Sequence, residues 1–253
     1  MDADAHQARF SGVGRVLGAD APARLAAAHA CVIGIGGVGS WVAEALARSG
    51  VGEITLIDLD DICVHNINRQ IHALTSSVGR LKVEVMADRI RDIHPGCTVH
   101  AEAAFLTPKT ADALLGRPYQ VVVDAIDRAG GKAKILAECR ARSIPVVTTG
   151  GAGGKQDPTA IRIADLSTTS HDPLLFQTRK RLRRWHGFPR DEKILFNIPA
   201  VYSMEQPAPP SCPEDGPAGR LDCAGSYGSL CTVTAVFGFL AAHAALQVLL
   251  GKR

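Results

Sequence analysis

At 253 residues, 46% of them hydrophobic, the chain carries ample apolar material for a sizeable core. The net charge of +3 and an isoelectric point near 8.5 lean mildly toward a polyanionic partner. Seven cysteines without regular spacing, behind a polar N-terminus with no apolar signal core, argue against a disulfide-stapled scaffold and for reduced thiols in the cytoplasm.

Residues 1–8 read as a frayed tail and 9–30 as an N-terminal helical segment. Val32 to Ile35 read as a buried strand. Gly34, Gly36 and Gly39, with Gly37 between them, fit the G-x-G-x-x-G turn into a helix from Ser40 to about Ser49. Such a turn aims free backbone N–H groups at a phosphate. The next apolar run, Ile54 to Ile57, ends in Asp58, where an acid that grips a ribose hydroxyl is expected. Alone, this fingerprint favours NAD.

The residues that follow change the choice. Asp60, Asp61, Asn66, Asn68, Arg69 and Gln70 sit just past the second strand, and Lys82 falls on the next helix. A third buried strand, Val121 to Val123, ends in Asp124-Ala-Ile-Asp127, well placed to supply a Mg²⁺ ligand, although Asp124 is better suited to shaping the strand end. A triphosphate carries more charge than a dinucleotide pyrophosphate and usually brings a metal, so this set reads as an ATP site with an open α-phosphate. After a strand at Val146 to Thr148 comes a turn rich in glycine, Gly150 to Gly154. The expected fold class is α/β: a Rossmann-like, doubly wound, mainly parallel sheet with an elaborated C-terminal half, in one domain over residues 1–253.

In the second half, residues 156–253, Ile161 to Leu166 reads as a strand and Asp172-Pro begins a helix capped at His171 or Asp172. Arg179, Lys180, Arg181, Arg183, Arg184 and Arg190 follow, with Trp185 and Phe188 interleaved and no acid before Asp191. Basic side chains among aromatics suit phosphate contact and base stacking on RNA; the alternative is a solvated helix face with Leu182 and Trp185 packed inward. Proline and glycine between 206 and 220 predict a mobile loop. The apolar stretch from Thr232 to Leu250 reads as a core or dimer-interface helix rather than a membrane span, because Thr234, His243 and Gln247 spread polarity through it. The histidines do not form a metal site by spacing.

GIGGVGS, LIDLDD, the N-x-N-R-Q of Asn66 to Gln70, a lysine thirteen residues after that arginine, and D-A-I-D stand in family order and spacing. Over roughly residues 9–155 they resemble the ubiquitin-activating-type adenylating enzymes, which include the bacterial activators of the molybdopterin-synthase and thiamine sulfur carriers. RQIHAL at 69–74, VTTGGAGGKQDPT at 147–159, DCAGSYG at 222–228 and FGF at 237–239 are similar to a branch of that family acting on a modified tRNA base, and extend the likeness to nearly the whole chain.

The resemblance implies ATP-dependent adenylation of the carboxylate of threonylcarbamoyladenosine next to the tRNA anticodon, followed by ring closure with net loss of water. It assigns Gly36 to Gly39 to phosphate, Asp58 to ribose, and Asp60 and Asn66 to the nucleotide set. Arg69 and Lys82 would stabilise the departing pyrophosphate, and Asp127 would hold Mg²⁺. It also implies a homodimer whose Arg9 or Arg15 reaches the partner's triphosphate, and a candidate thiol at Cys223 in preference to Cys212. A sulfur-relay protein is a candidate partner, and assistance by a monovalent cation is left open. Relatives with a structural zinc hold it with two CxxC pairs; none is present here, so no zinc is expected. The rival activity within the family is adenylation of a ubiquitin-like sulfur carrier at its C-terminus.

Overall fold

Buried runs of β-branched and aliphatic residues set the sheet. In the computed structural model, which describes residues 3–107, 109–208 and 227–252, they form β1 (His29–Ile33), β2 (Glu53–Ile57), β4 (Val121–Asp124) and β5 (Val146–Thr149). β3 (Thr98–Glu102), β7 (Pro199–Ser203) and β6 (Ile161–Asp165) complete seven strands in the order β3-β2-β1-β4-β5-β7-β6. All neighbours pair parallel except β6 with β7. β3 and β7 were not anticipated. β3 is a half-exposed edge with the sequence TVHAE, so it lacks the apolar run by which a buried strand is read.

Helices cover both faces, and the strands alternate between two apolar layers. Ala30 and Val32 of β1, with Val121 and Val123 of β4, face α2 (Ala21–Ala26), α3 (Gly39–Arg48), α4 (Lys82–Ile93) and α8 (Cys231–Leu249). Cys31, Ile33 and Val122 face α5 (Ala111–Leu115), α6 (Ala129–Ala141) and α7 (Pro173–Trp185). The expected doubly wound α/β sheet is therefore present. On the first face, Glu44 of α3 is buried and accepts from Arg48 at 2.7 Å and from Arg89 of α4 at 2.6 and 3.0 Å, joining two helices that contact each other along the sheet.

Two boundaries differ from expectation. The N-terminal segment is two helices, α1 (Ala3–Leu17) and α2, broken at Gly18 with φ +113°, and α1 takes in most of the supposed tail. β1 starts at His29 and ends at Ile33, because Gly34 takes φ +89°. α8 is long and apolar enough to cross a membrane by length and composition, but half of its most apolar stretch is buried in this fold. It packs on α3 at Gly238, where a Cβ would lie 2.5 Å from Trp41 Cβ and 2.8 Å from the Val38 carbonyl oxygen. Only glycine permits that approach.

Three histidines are buried: His29, His72 and His94. Neither ring nitrogen of His72 has a hydrogen-bond partner among the described residues. Burial, then the charges of Lys82 and Arg89, push His72 down to about 4, and burial lowers His29 and His94 as well. The unfolded chain takes up protons below the ordinary histidine value of 6.5 while the native state resists, so stability falls as pH drops through that value. For His72 the window runs from 6.5 to about 4, with a slope of up to about 1.4 kcal/mol per pH unit. Urea midpoints measured at about pH 7.5 and about pH 5 should therefore fall with acidity, and less so for His72→Leu than for the wild type.

Candidate active site

The strand order reverses beside β1: the chain moves outward through β2 and β3, then returns to place β4 on the other side. Connections leaving β1 and β4 diverge to opposite faces, and a crevice opens at their carboxyl ends, the usual ligand position in open α/β sheets. The turn after β1 fills one wall. Gly34 N donates to Ile57 O at 2.9 Å, and a Cβ on Gly39 would lie 1.8 Å from Gly34 O. A Cβ on Gly36 would meet nothing within 4 Å, so the turn's outer backbone faces open space beside the N-terminus of α3.

Asp58, at the end of β2, clamps this turn. Its Oδ2 accepts Ile35 N at 2.6 Å and its Oδ1 accepts Asp60 N at 2.9 Å. Burial raises its carboxyl above the ordinary range, against the pull of Lys82 and those two N–H groups. Each oxygen keeps a lone pair for a ribose hydroxyl, so binding the turn and binding a sugar are compatible.

The chain between β2 and α4 supplies the cations. A single 3₁₀ turn at Val64–Asn66 buries Asn66, whose Oδ1 accepts Cys63 N at 3.0 Å. Arg69 O accepts Trp41 Nε1 at 3.1 Å and Thr234 Oγ1 at 3.3 Å, tying this segment to α3 and α8. The Arg69 side chain lies along the glycine turn, with its Cγ 3.4 Å from where a Gly37 Cβ would be, and Nη1 donates to His65 O at 2.6 Å. Lys82 is buried at the start of α4 and its Nζ donates to Asp60 Oδ2 at 2.7 Å. Asp60 thus holds the Lys82 ammonium in place.

Across the crevice, Asp127 is exposed in the turn between β4 and α6 and has no ion pair among the described residues. An exposed carboxylate with no cationic partner among the described residues keeps the oxygen donors that a hard cation such as Mg²⁺ would need. Asp124 is wholly buried, pairs with Lys132 at 3.0 Å and accepts from Thr148 Oγ1 at 2.7 Å, which matches its expected role at the strand end. Lys132 itself was not anticipated, yet it had a signal: it falls on the buried stripe of α6 with Ile135, Leu136 and Cys139. A lysine in such a stripe needs a buried partner.

Candidate thiols and histidines sort by burial and register. Cys31, Cys97 and Cys139 are buried and their thiols are pushed up, to about 12 for the last two, which makes them inert. Cys212 and Cys223, with most of the supposed mobile loop, lie outside the described residues. Contrary to the spacing argument, neighbouring strands bring His29, Glu53 and His100 together, with ligand atoms within 4.8 Å of one another, at the amino ends of β1 and β2. Both imidazoles turn to the same Glu53 Oε1, at 3.4 and 2.8 Å, and Arg117 reaches Thr55 beside them. The positive guanidinium disfavours a cation, and the group is a hydrogen-bonded charge cluster away from the crevice.

The basic run lies on α7 and the turn after it. Asp172, not His171, caps the helix, its Oδ1 accepting Leu175 N at 2.9 Å. Asp172 Oδ2 also accepts Gly151 N at 3.0 Å and lies 3.3 Å from the buried Lys155 Nζ, which joins the glycine turn after β5 to the start of α7. Arg179, Lys180, Arg183, Arg184 and Arg190 line a groove of about 660 Å³ with Thr169 and Glu192. Arg181 lies on the far side, its guanidinium 5.5 Å from the Trp185 ring centroid. Leu182 packs inward as the solvated-face reading expected, but Trp185 is exposed, with Arg184 also over its ring. Phe188 corrects the stacking idea: it is buried against Phe196 at 4.9 Å between centroids and cannot meet a base.

The ThiF family model matches residues 10–253. The chain is 48% identical over 251 residues to a Haemophilus influenzae protein named tRNA threonylcarbamoyladenosine dehydratase, covering 99% of this chain and 96% of that one. Crystal structures of the Escherichia coli tRNA N6-threonylcarbamoyladenosine dehydratase superpose with TM-scores of 0.90 in complex with ATP, covering 100% of this chain and 98% of that one, and 0.89 with AMP, covering 99% and 97%. Their identities to this chain are 45% and 46%. A Thermus thermophilus sulfur carrier protein adenylyltransferase is more distant, 28% identical over 93% of this chain and 74% of its own.

The glycine turn supports a paired prediction. Gly39→Ala places a methyl on the Gly34 carbonyl, so it should lose both ATP affinity and stability, the latter by ~1–3 kcal/mol or more. Gly36→Ala meets no protein atom within 4 Å, so its melting temperature should hold while ATP affinity falls. Calorimetric ATP titration and thermal melting of the two variants check both halves.

Proposed function

The chain belongs to the ThiF family, and we propose that it is an ATP-dependent tRNA threonylcarbamoyladenosine dehydratase. The likeness over nearly the whole length to a protein of that name carries this reading, and the crevice at the β1/β4 reversal supplies the chemistry it needs.

A carboxylate is a poor acyl donor because its leaving group would be an oxide. With ATP in the crevice, an oxygen of the threonyl carboxylate bonds to the α-phosphorus and the bond to the β-phosphate oxygen breaks, releasing pyrophosphate. The carbamoyl group then attacks the activated carbonyl carbon, loses a proton and expels AMP, so the base loses the elements of water. The attack is intramolecular, and its atoms balance without an enzyme thiol. Asp58 holds the ribose and the turn from Gly34 to Gly39 holds phosphate through backbone N–H groups. Arg69 and Lys82 offset the charge that grows on the departing pyrophosphate. Asp127 is the residue that would hold Mg²⁺, which neutralises phosphate charge when bound.

Two further parts complete the reading. Arg9 donates to Ile93 O at 3.2 Å, at the end of α4 opposite Lys82, roughly 16 Å away along that helix. Arg9 would therefore reach a triphosphate from a second copy of the chain, which a homodimer supplies; Arg15, in the last turn of α1, is the other candidate. The α7 groove binds tRNA phosphates: Arg179, Lys180, Arg183, Arg184 and Arg190 gather around it against a single acid, Glu192. A sulfur-carrier substrate fits less well, since a folded carrier protein does not call for a groove lined by five cations.

Mass spectrometry of nucleosides from threonylcarbamoyladenosine-bearing tRNA, incubated with enzyme and ATP, should reveal a product lighter by one water. Arg69→Ala and Lys82→Ala should each slow its formation by ~10²–10³-fold. Both should stay folded, since Asp60, left behind by Lys82, is 57% exposed. No dehydrated nucleoside from the wild type would overturn the assignment. A second measurement isolates the groove. Changing Arg179, Arg183 and Arg184 together to glutamine should weaken tRNA binding and flatten its salt dependence by about one released counterion per lost phosphate contact, with ATP affinity unchanged. Filter retention across a salt series reads both.

A further inference from the structure

Lys132 makes contacts that an ordinary core residue does not. Its side chain and that of Asp124 are both 0% exposed. The three N–H bonds of its ammonium group have three acceptors: Asp124 Oδ2 at 3.0 Å, Ile126 O at 2.9 Å and Asp124 O at 3.4 Å. Asp124 is engaged in turn, Oδ2 accepting Thr148 Oγ1 at 2.7 Å and Oδ1 accepting Ile126 N at 3.3 Å. The turn Asp124-Ala125-Ile126 is thus held at its first and third carbonyls, its third N–H and its carboxylate from inside the fold.

Stability alone does not account for this arrangement. Removing two charges from water costs several kcal/mol per ion, and an apolar pair of similar volume is commonly as stable or more so. An apolar pair has no donor for two inward-turned carbonyls. The ammonium does, and it fixes the path of the chain that leads into Asp127.

The same turn rests on the phosphate wall. A Cβ on Gly34 would lie 2.9 Å from Ile126 Cγ2 and 3.1 Å from the Ala125 carbonyl, and one on Gly39 would lie 3.2 Å from Ala125 Cβ. From the other side, a Cβ on Gly131 would lie 2.6 Å from Ile126 Cδ1. Ala125 and Ile126 are wedged between the glycine turn and α6, immediately before Asp127 in the chain.

We propose that Lys132 is a positioning residue that, through its contacts with Asp124 and Ile126, fixes the β4–α6 turn and so presents Asp127 to the triphosphate and its metal. The proposal rests on the reading of Asp127 as the metal-facing acid, and the test separates the two.

The proteins compared are wild type, Lys132→Met, the double variant Asp124→Asn with Lys132→Met, and Asp127→Asn. Amide hydrogen exchange without nucleotide reads the turn itself, and ATP–pyrophosphate exchange with threonylcarbamoyladenosine-bearing tRNA across a Mg²⁺ series reads its consequence. Lys132→Met strands a buried carboxylate and is expected to melt at lower temperature; the double variant carries neither buried charge and is expected to recover most of that loss. Its amides at Ile126 and Asp127 should still exchange faster by roughly tenfold. Its kcat should still be lower by about 10–100-fold, with a higher Mg²⁺ requirement and little change in KM for ATP. A double variant with wild-type exchange, kcat and Mg²⁺ requirement would make the pair merely structural and overturn the proposal. If Asp127→Asn leaves the Mg²⁺ requirement unchanged, the reading of Asp127 falls and takes the proposal with it. A defective Asp127→Asn beside a normal double variant sinks the proposal alone.

Discussion

The carbonyl of Gly34 and the α-carbon of Gly39 approach so closely that no side chain fits between them. That contact folds the chain back at the end of β1 and starts α3 directly above the sheet edge, beside the open outer backbone of Gly36. The rest of the crevice is arranged around it. Asp58 clamps Ile35 from the end of β2, Arg69 lies along Gly37, and Ala125 with Ile126 press on the turn from the end of β4. A wall made of backbone has no rotamers to adjust, so its precision comes from what packs against it.

Charge is distributed by how much water each group keeps. Lys132 with Asp124 and Lys155 with Asp172 are buried pairs that hold turns, one after β4 and one after β5. Lys82 is buried, but its partner Asp60 is half in solvent, so this pair is screened and weaker than the two buried ones. The cations of α7 remain at the surface around a groove, where attraction to a polyanion is long-ranged and salt-dependent. Asp172 connects the two regimes: the same carboxylate that caps the basic helix also anchors Gly151 at the sheet edge. The basic helix and the glycine turn after β5 therefore rest on a common support.

Much of the site was legible in one dimension because it is local. The glycine spacing, Asp58 at the end of an apolar run, and Arg69 and Lys82 just beyond it all fall within one βαβ unit, where chain order and spatial order coincide. The structure keeps those residues together. Other expectations needed a direction that spacing does not supply. Trp185 and Phe188 are three residues apart in a basic run, yet one faces water and the other packs on Phe196, since α7 ends between them and the chain turns back to the core. The His29, Glu53 and His100 cluster spans three strands, and its members are far apart in sequence.

By itself the sequence determined the doubly wound class, the glycine turn, the grouping of Asp58, Arg69 and Lys82 near it, and a basic helix in the second half. These follow from periodicity and short motifs, whose geometry is dictated within a few residues. Only the tertiary structure decided that Asp60 holds Lys82, that Lys132 is neutralised by Asp124 while Asp127 stays open, and that Arg179 to Arg190 enclose a groove. Those outcomes depend on which side chains lose their water. Burial is a property of the packed sheet and its two helical layers, and no segment of the chain contains it alone.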